Sequence, residues 1–581
     1  MKLPAAIMLI PIAAFAQQPT PDDLRKAAHD YYEWHDREFP VDSSGQGLHT
    51  WDDRLTDYSP VAIDLRRRRV RELLGQVRAM KTDGWSKDDR IDRILFAAQL
   101  ERPAFSARVL QPEETNPALY VDECSNAIFS LLQKDYDTHR TRVLAATARL
   151  RAMPHLMEQA KSNLTNPVRL YAQFAIESAH AIDPLFNLSL MSLSDGLSAT
   201  ERADLVLASD AALAAIHEFA DYLQRRLDTM PAFRPMGVEN YEYMLRRIYL
   251  QPIDAAQLAM LGEVELARYR GLEALLPNPA MANPDPSRNK NIPKDQASFL
   301  DAYQARLKSI LDFLHQQDLI TLPDYLGKFY IRQLPDAFKP TSPGGFMNPP
   351  GVYDRDSSGF YFIPTYSPDS KNFYIRAAIE EPRPILGHEG IPGHFLQISI
   401  ANHLTDEIRR HHQDGVMVEG WALYTEEMLL RRGFYPPGSA AEGQILRLCR
   451  YRAARIGVDV NLHTGRWTFE QAVEYFMEAG GLDREAATGE AGGAATDPTQ
   501  KMTYITGKWE IMRLLGKYRD RMGDRFSLKG FHDELLRNGS LPLSVQSWIL
   551  LDDASDLEKA LGMSVTDAPD RNPRVLTPPR N

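Results

Sequence analysis

The sequence predicts a mainly α-helical fold with one small β-sheet about two-thirds of the way along. Three observations carry this. Residues 200–229 and 254–276 place apolar side chains at three- and four-residue spacing, as a helix with one buried face requires. The short segments 328–334, 359–364 and 372–378 are aromatic or β-branched and lie between turn residues, which reads as a small sheet. Apolar residues make up 44% of the 581 and charged residues 25%, so there is enough material for a packed core. This composition excludes a disordered chain, a collagen and a disulfide scaffold.

The elements follow in order. Met1-Lys2, an apolar stretch and then Ala14-Phe15-Ala16 read as a secretory signal peptide over residues 1–16. Cleavage before Gln17 leaves no cysteine at the new N-terminus, so a lipid anchor is not expected. Residues 17–59, with Pro19 and Pro21, read as an N-terminal linker and leading segment. From Pro60 to Gln317 the pattern is helical. Ser86 with Asp89 marks a helix start, and Pro167 opens another segment. Arg66, Arg67, Arg68, Arg69 and Arg71 form a basic run, which Asp64 and Glu72 turn into a solvated helix face. Residues 277–295 are rich in Pro and Asn and form a loop. After the sheet, helices return from Pro384 onward. Thr468 with Gln471 caps one of them, and Gly480-Gly481 ends it.

Charge and cysteine content narrow the class. Lys plus Arg is 67 and Asp plus Glu is 78, so 67 − 78 gives −11. An acidic chain lacks the basic field that nucleic acid binding needs. Cys124 and Cys449 are too far apart in sequence to form a zinc or redox motif. No later stretch offers the roughly 18 uninterrupted apolar residues of a membrane-spanning helix. The expectation is an exported protein, periplasmic or extracellular, with no transmembrane segment.

Chemistry concentrates at residues 387–394, Gly-His-Glu-Gly-Ile-Pro-Gly-His. Zinc hydrolases commonly place two histidines at i and i+4 on a helix, with Glu after the first. Here His388 and His394 are six apart. Six helical steps leave the rings about 120° out of phase. Pro392-Gly393 lies between them and interrupts the helix, so the two rings can be re-phased to converge. A catalytic zinc takes three protein ligands and keeps a position for water. The third should come from the helical stretch Val418-Glu419-Gly420-Trp421-Ala422-Leu423-Tyr424-Thr425-Glu426-Glu427. Glu419 is the first choice, with Glu426 as alternative ligand or as the carboxylate behind one. The two are seven apart and share a face. Glu389 is placed to act as base toward a water whose pKa the metal lowers to about 7. His411-His412 diverge by about 100° on a helix and read as surface residues.

These motifs resemble the bacterial domain-of-unknown-function 885 family, itself similar to gluzincin metallopeptidases. The resemblance rests on His388-Glu389-x-x-Pro392-Gly393-His394 and Glu419-Gly420-Trp421-Ala422-Leu423-Tyr424. His49-Thr50-Trp51-Asp52-Asp53-Arg54-Leu55 resembles its N-terminal signature. Asp459-Val460-Asn461-Leu462-His463 and Tyr504-Ile505-Thr506-Gly507-Lys508 resemble its C-terminal ones. It implies a two-lobed helical metallopeptidase-like architecture, with the small sheet beside the metal-binding helix and a deep groove. Residues 60–317 would form a helical lobe and 318–581 a catalytic lobe. Two departures stand out: Phe395 replaces a second His, and Gly493 stands where one branch has Arg three residues after the acidic Glu490.

The same resemblance brings Tyr504 and His463 forward as donors to a reaction oxyanion. Asp459 could orient a ligand histidine from behind. The segment 372–378, read as a strand, could hold an extended peptide by its free edge. Together these readings predict an exported zinc-dependent hydrolase, with about one zinc per chain, acting on peptide bonds. The alternatives are hydrolysis of another amide or ester, and a catalytically silent binding protein on the same scaffold.

Overall fold

The computed structural model describes residues 18–334 and 345–565, so the expected signal peptide lies outside the described residues. The chain is mainly helical with one three-stranded sheet. Residues 17–59 do not form a linker. Pro21–Glu38 is a helix (α1), started by Thr20, whose side chain accepts from the Asp23 backbone N–H while Asp23 accepts from that of Thr20. Pro21 occupies the first helical turn, where its missing N–H costs nothing. α1 buries Leu24, Ala28, Tyr31 and Trp34, and a short helix α2, Pro40–Gly45, follows. The His49–Leu55 signature is structural there: Asp52 accepts from Ser44 Oγ at 2.6 Å and from the Tyr136 hydroxyl at 2.5 Å.

Helices α3 (Pro60–Ala79) and α4 (Lys87–Phe105) pack beside α1. The arginine run on α3 is only partly a solvated face. Arg66 is buried with its guanidinium 5.3 Å from the Phe39 ring centre. Arg67 pairs with Glu113 and Glu114, Arg68 with Asp64, and Arg69 covers Trp34. A second core gathers around α5 (His139–Asn163) and α6 (Ala199–Arg226).

The largest core joins α7 (Ala255–Ala274) and α8 (Gln296–Gln316) to the helices that follow the sheet. Leu258 and Tyr303 contribute from before residue 317, and Trp421 and Ile456 from after it. A Cβ on Gly262 of α7 would meet the Ile456 side chain at 2.9 Å, so the helices there nearly touch. The residue-317 boundary therefore runs through a shared core. Cys124 and Cys449 are buried, free, and lie in different cores.

The sheet has the order β1-β3-β2, with β1 Phe329–Gln333, β2 Phe346–Asn348 and β3 Gly359–Ile363. β1 runs parallel to β3 with Phe329 opposite Gly359, and β2 antiparallel with Phe346 opposite Phe362. The expected strand over 372–378 is instead a helix, α9 (Phe373–Glu380). Asn372 caps it, accepting from the backbone N–H of Tyr374 and Ile375. That local cap outweighs an aromatic and β-branched composition, and the free-edge reading of this segment falls with it.

Five further helices carry the site: α10 Arg383–Glu389, α11 His394–Asn402, α12 Gly415–Arg431, α13 Ala440–His463 and, past α14 (Arg484–Thr496), α15 Thr503–Met522. The sheet lies against α11 through Phe395, whose ring centre is 5.0 Å from that of Phe329. Phe395 thus fills the sheet–helix seam. Among the described residues no helix is long and apolar enough to cross a membrane.

Candidate metal centre

The break between the two histidines is built by their own neighbours. α10 ends at Glu389 and α11 begins at His394. A Cβ on Gly393 would collide with the His388 carbonyl oxygen, so only glycine permits the turn. Trp421 Nε1 donates to the Pro392 carbonyl at 2.8 Å, and Thr425 Oγ1 to that of Gly387 at 3.3 Å. The imidazole centres end 4.8 Å apart at 84°.

α12 delivers the carboxylates. Glu419 Oε2 lies 3.4 Å from His394 Nε2 and 3.9 Å from His388 Nε2. One ligand atom from each of His388, His394 and Glu419 falls within 4.8 Å of the others, the one such group among the described residues. Glu426, two turns on, faces the other side of His388. Its Oε1 is 2.7 Å from His388 Nδ1 and 3.0 Å from Arg452 Nη1. Glu419 thus fronts both Nε2 atoms, and Glu426 stands behind one ring.

Electrostatics set these groups against burial. Burial works to raise Glu419, but His394, His388 and Arg452 hold its carboxyl at about 2. Glu426 is lowered despite burial, chiefly by Arg452 and His388. Burial works to lower His394, yet Glu419 and Glu389 leave it raised. Glu419 Oε2 and His394 Nδ1 are buried without a hydrogen-bond partner. An orphaned carboxylate oxygen facing two imidazole nitrogens is a poor arrangement for three protein groups alone. It is a fitting one for a divalent cation such as zinc, whose usual donors are N and O.

Tyr504 joins this cluster. Its ring lies 6.5 Å from that of His388 at 12°. Its hydroxyl accepts from Gln500 at 3.4 Å, and Arg452 and Arg455 flank the ring at 5.4 and 5.0 Å. Burial and then the Glu419 charge raise its pKa. The crossing of α12 and α15 puts it there: a Cβ on Gly420 would lie 2.5 Å from Gly507 Cα. Lys508 Nζ, next in sequence, pairs with Glu427 at 2.7 Å and ties the same two helices.

Two expected members lie elsewhere. His463 Nε2 bonds the Ala494 carbonyl at 2.8 Å, its ring stacks with Tyr241, and burial pushes its pKa to about 4. It sits 11 residues beyond Arg452 on α13, about 16 Å along the axis. It is a satisfied core histidine, not an oxyanion donor. Asp459 accepts from the backbone N–H of Thr499 and Met502 and from Tyr241. It fixes the loop leading into α15, and its hydrogen bonds reach neither His388 nor His394. His411 and His412 are not surface residues: His412 is buried against Gln99, and His411 stacks on Tyr32.

Other residues went unnoticed in the sequence. Arg452 and Arg455 are buried on α13, and Arg455 grips Glu490 with two nitrogens at 3.2 and 3.0 Å. Arginines three apart in a helix otherwise rich in small apolar residues are the signal that could have found them. Beside Gly493, Lys501 Nζ lies 3.2 Å from where a Cβ would be and 3.4 Å from Glu490. A lysine from the following loop therefore supplies positive charge next to Gly493. None of the cluster residues lines the cavity of about 650 Å³ that lies nearer the N-terminal helices.

A helical protein with a largely buried His-His-Glu cluster is the class that fold and site define. The chain belongs to the family described as bacterial protein of unknown function (DUF885), whose model matches residues 40–547. It is similar in fold to a "putative lipoprotein of unknown function" from Shewanella oneidensis, at 20% identity and TM-score 0.71, covering 92% of this chain and 100% of that one. It is likewise similar to a "putative lipoprotein" from Colwellia psychrerythraea, at 18% identity and TM-score 0.74, covering 91% and 98%. No curated protein matches it.

Proposed function

We propose that the protein is a zinc-dependent hydrolase, a metallopeptidase whose centre is His388, His394 and Glu419. The observation that carries this is the convergence of those three groups on one point, with Glu426 behind His388. Zinc held there would polarise a scissile carbonyl and acidify a water molecule. Glu389, adjacent to His388 and near enough to raise His394, would take a proton from a water held there and return it to the leaving amine. Tyr504 donates its hydroxyl proton in a hydrogen bond to the carbonyl oxygen as charge develops there. Raised by burial, that hydroxyl stays protonated at neutral pH and so remains a donor. Glu426 and Arg452 hold the His388 ring in place.

The fold relatives' description as lipoproteins supports an exported protein, in keeping with the signal-like residues 1–16. Gln17 gives this chain no cysteine for lipid attachment at that point. The deciding experiment measures zinc in the purified protein and digests a mixed peptide panel with wild type and Glu389→Gln. Zinc retained with cleavage abolished in the variant supports the proposal. Cleavage unaffected by the substitution overturns it.

A further inference from the structure

A second place in the molecule is shaped to receive a ligand. A cavity of about 650 Å³ lies between α1, α2, α3, α4 and residues 411–414. That volume is within the roughly 300–1,000 Å³ of small-molecule sites. Its walls are flat rings: Tyr31, Tyr32, Trp34, Tyr58 and Tyr353. His411 lies on Tyr32 with ring centres 4.1 Å apart and 12° between planes. Burial first, and then Arg410 and Arg102 respectively, push His411 to about 4 and His412 to about 3. Both are uncharged at neutral pH, so this wall stacks without adding charge.

Most charges lining the cavity are already matched. Arg67 pairs with Glu113, Asp36 accepts from the Tyr353 hydroxyl at 2.6 Å, and Asp414 accepts from the Met417 N–H. Arg66 faces Glu38 at 3.9 Å and is packed on Phe39 and Tyr58. Two charges remain, and both are solvent-exposed. Arg102 covers the Tyr249 ring at 5.0 Å and is hydrogen-bonded to the Tyr249 side chain, but it forms no ion pair among the described residues. The Asp42 carboxylate on α2 has neither a hydrogen-bond partner nor an ion pair among them. A guanidinium and a carboxylate without an opposite charge in one aromatic-walled cavity match a ligand that carries both an ammonium and a carboxylate.

We propose that this cavity binds a short aromatic peptide with both ends free, its ammonium on Asp42, its carboxylate on Arg102, and its ring against the Tyr32–His411 stack. The site is separate from the metal centre, and the proposal does not depend on the activity assigned there.

Calorimetric titration of the full mature chain with L-phenylalanyl-L-phenylalanine tests this. A chelator present throughout keeps the metal centre empty and the probe intact. The expected result is saturable one-site binding. N-acetylation or C-terminal amidation of the probe should each weaken it at least ~10-fold, the scale of one lost charge-assisted contact. Asp42→Asn should abolish the discrimination against the acetylated probe, and Arg102→Met that against the amidated one. Both positions are exposed, so the variants keep the core intact. Absence of saturation at millimolar probe, equal affinity for the capped peptides, or unchanged discrimination in both variants overturns the proposal.

Discussion

Glu426 Oε1 lies 2.7 Å from His388 Nδ1, and Arg452 Nη1 lies 3.0 Å from the same oxygen. That carboxylate lies on the Nδ1 side of the ring, and Nε2 faces the side where His394 and Glu419 stand. The two glutamates of α12 thus have different roles although they share a helix face. One fronts the cluster and the other stands behind a ring within it.

Zinc affinity should separate these roles. His394→Ala should lose the ion and keep its helical circular dichroism. Glu426→Gln should retain zinc with about 10- to 100-fold weaker affinity, the usual cost of removing a supporting partner. Glu419→Gln should lose more than that. Competition with a chromophoric chelator gives the order, and a larger loss in Glu426→Gln than in Glu419→Gln would reverse the assignment.

Turnover should separate the base from the donor. Glu389→Gln should keep zinc and peptide affinity while kcat falls roughly 10²-fold or more. Tyr504→Phe should lose less, with the loss in kcat and not in KM. Steady-state kinetics on one peptide, with zinc measured in each preparation, checks both. A Tyr504→Phe effect confined to KM would make that tyrosine a binding residue only.

The α12–α15 crossing should be intolerant of a single methyl group. Gly507→Ala places a Cβ against the Val416 carbonyl oxygen and should cost about 1–3 kcal/mol by overpacking. Gly516→Ala on the same helix meets nothing within 4 Å and should instead stabilise by up to ~1 kcal/mol. Thermal unfolding of the pair tests this, and equal shifts would show that backbone contact is not the cause.

A buried acid should make stability respond to pH. Burial raises Glu510 from 4.5 to about 8, with Arg513 opposing. Between those values the unfolded chain releases this proton while the folded chain keeps it. Wild type therefore loses the Glu510 contribution as pH rises from about 4.5 to about 8. Glu510→Gln has no proton to release. Its stability relative to wild type should rise between pH 5 and pH 8, by on the order of a few kcal/mol. Denaturant unfolding at both pH values measures the difference, and a constant gap would refute the assignment.

Long helices were legible because their apolar spacing is a local property, as over 254–276. The break at Pro392-Gly393 was legible for the same reason, since a helix breaker between two histidines has one geometric use. What escaped depends on contacts far apart in sequence. Arg455 and Glu490 meet across 35 residues, and no spacing rule joins them. His463 and Asp459 sit in a helix whose inner face passes the site over only part of its length. They could not be told from Arg452 without the packing. At residues 372–378 composition favoured a strand, and one asparagine cap reversed it.

Trp421 and Thr425 hold the carbonyls on either side of the histidine break from the same helix that carries Glu419 and Glu426. The cluster is therefore held by contacts among the protein's own helices. Under the proposed zinc reading, binding would order no loop and little of its free energy would be lost to rearrangement. A stripped protein should stay folded and refill in a single concentration-dependent step, on a clock unrelated to the much slower one of refolding.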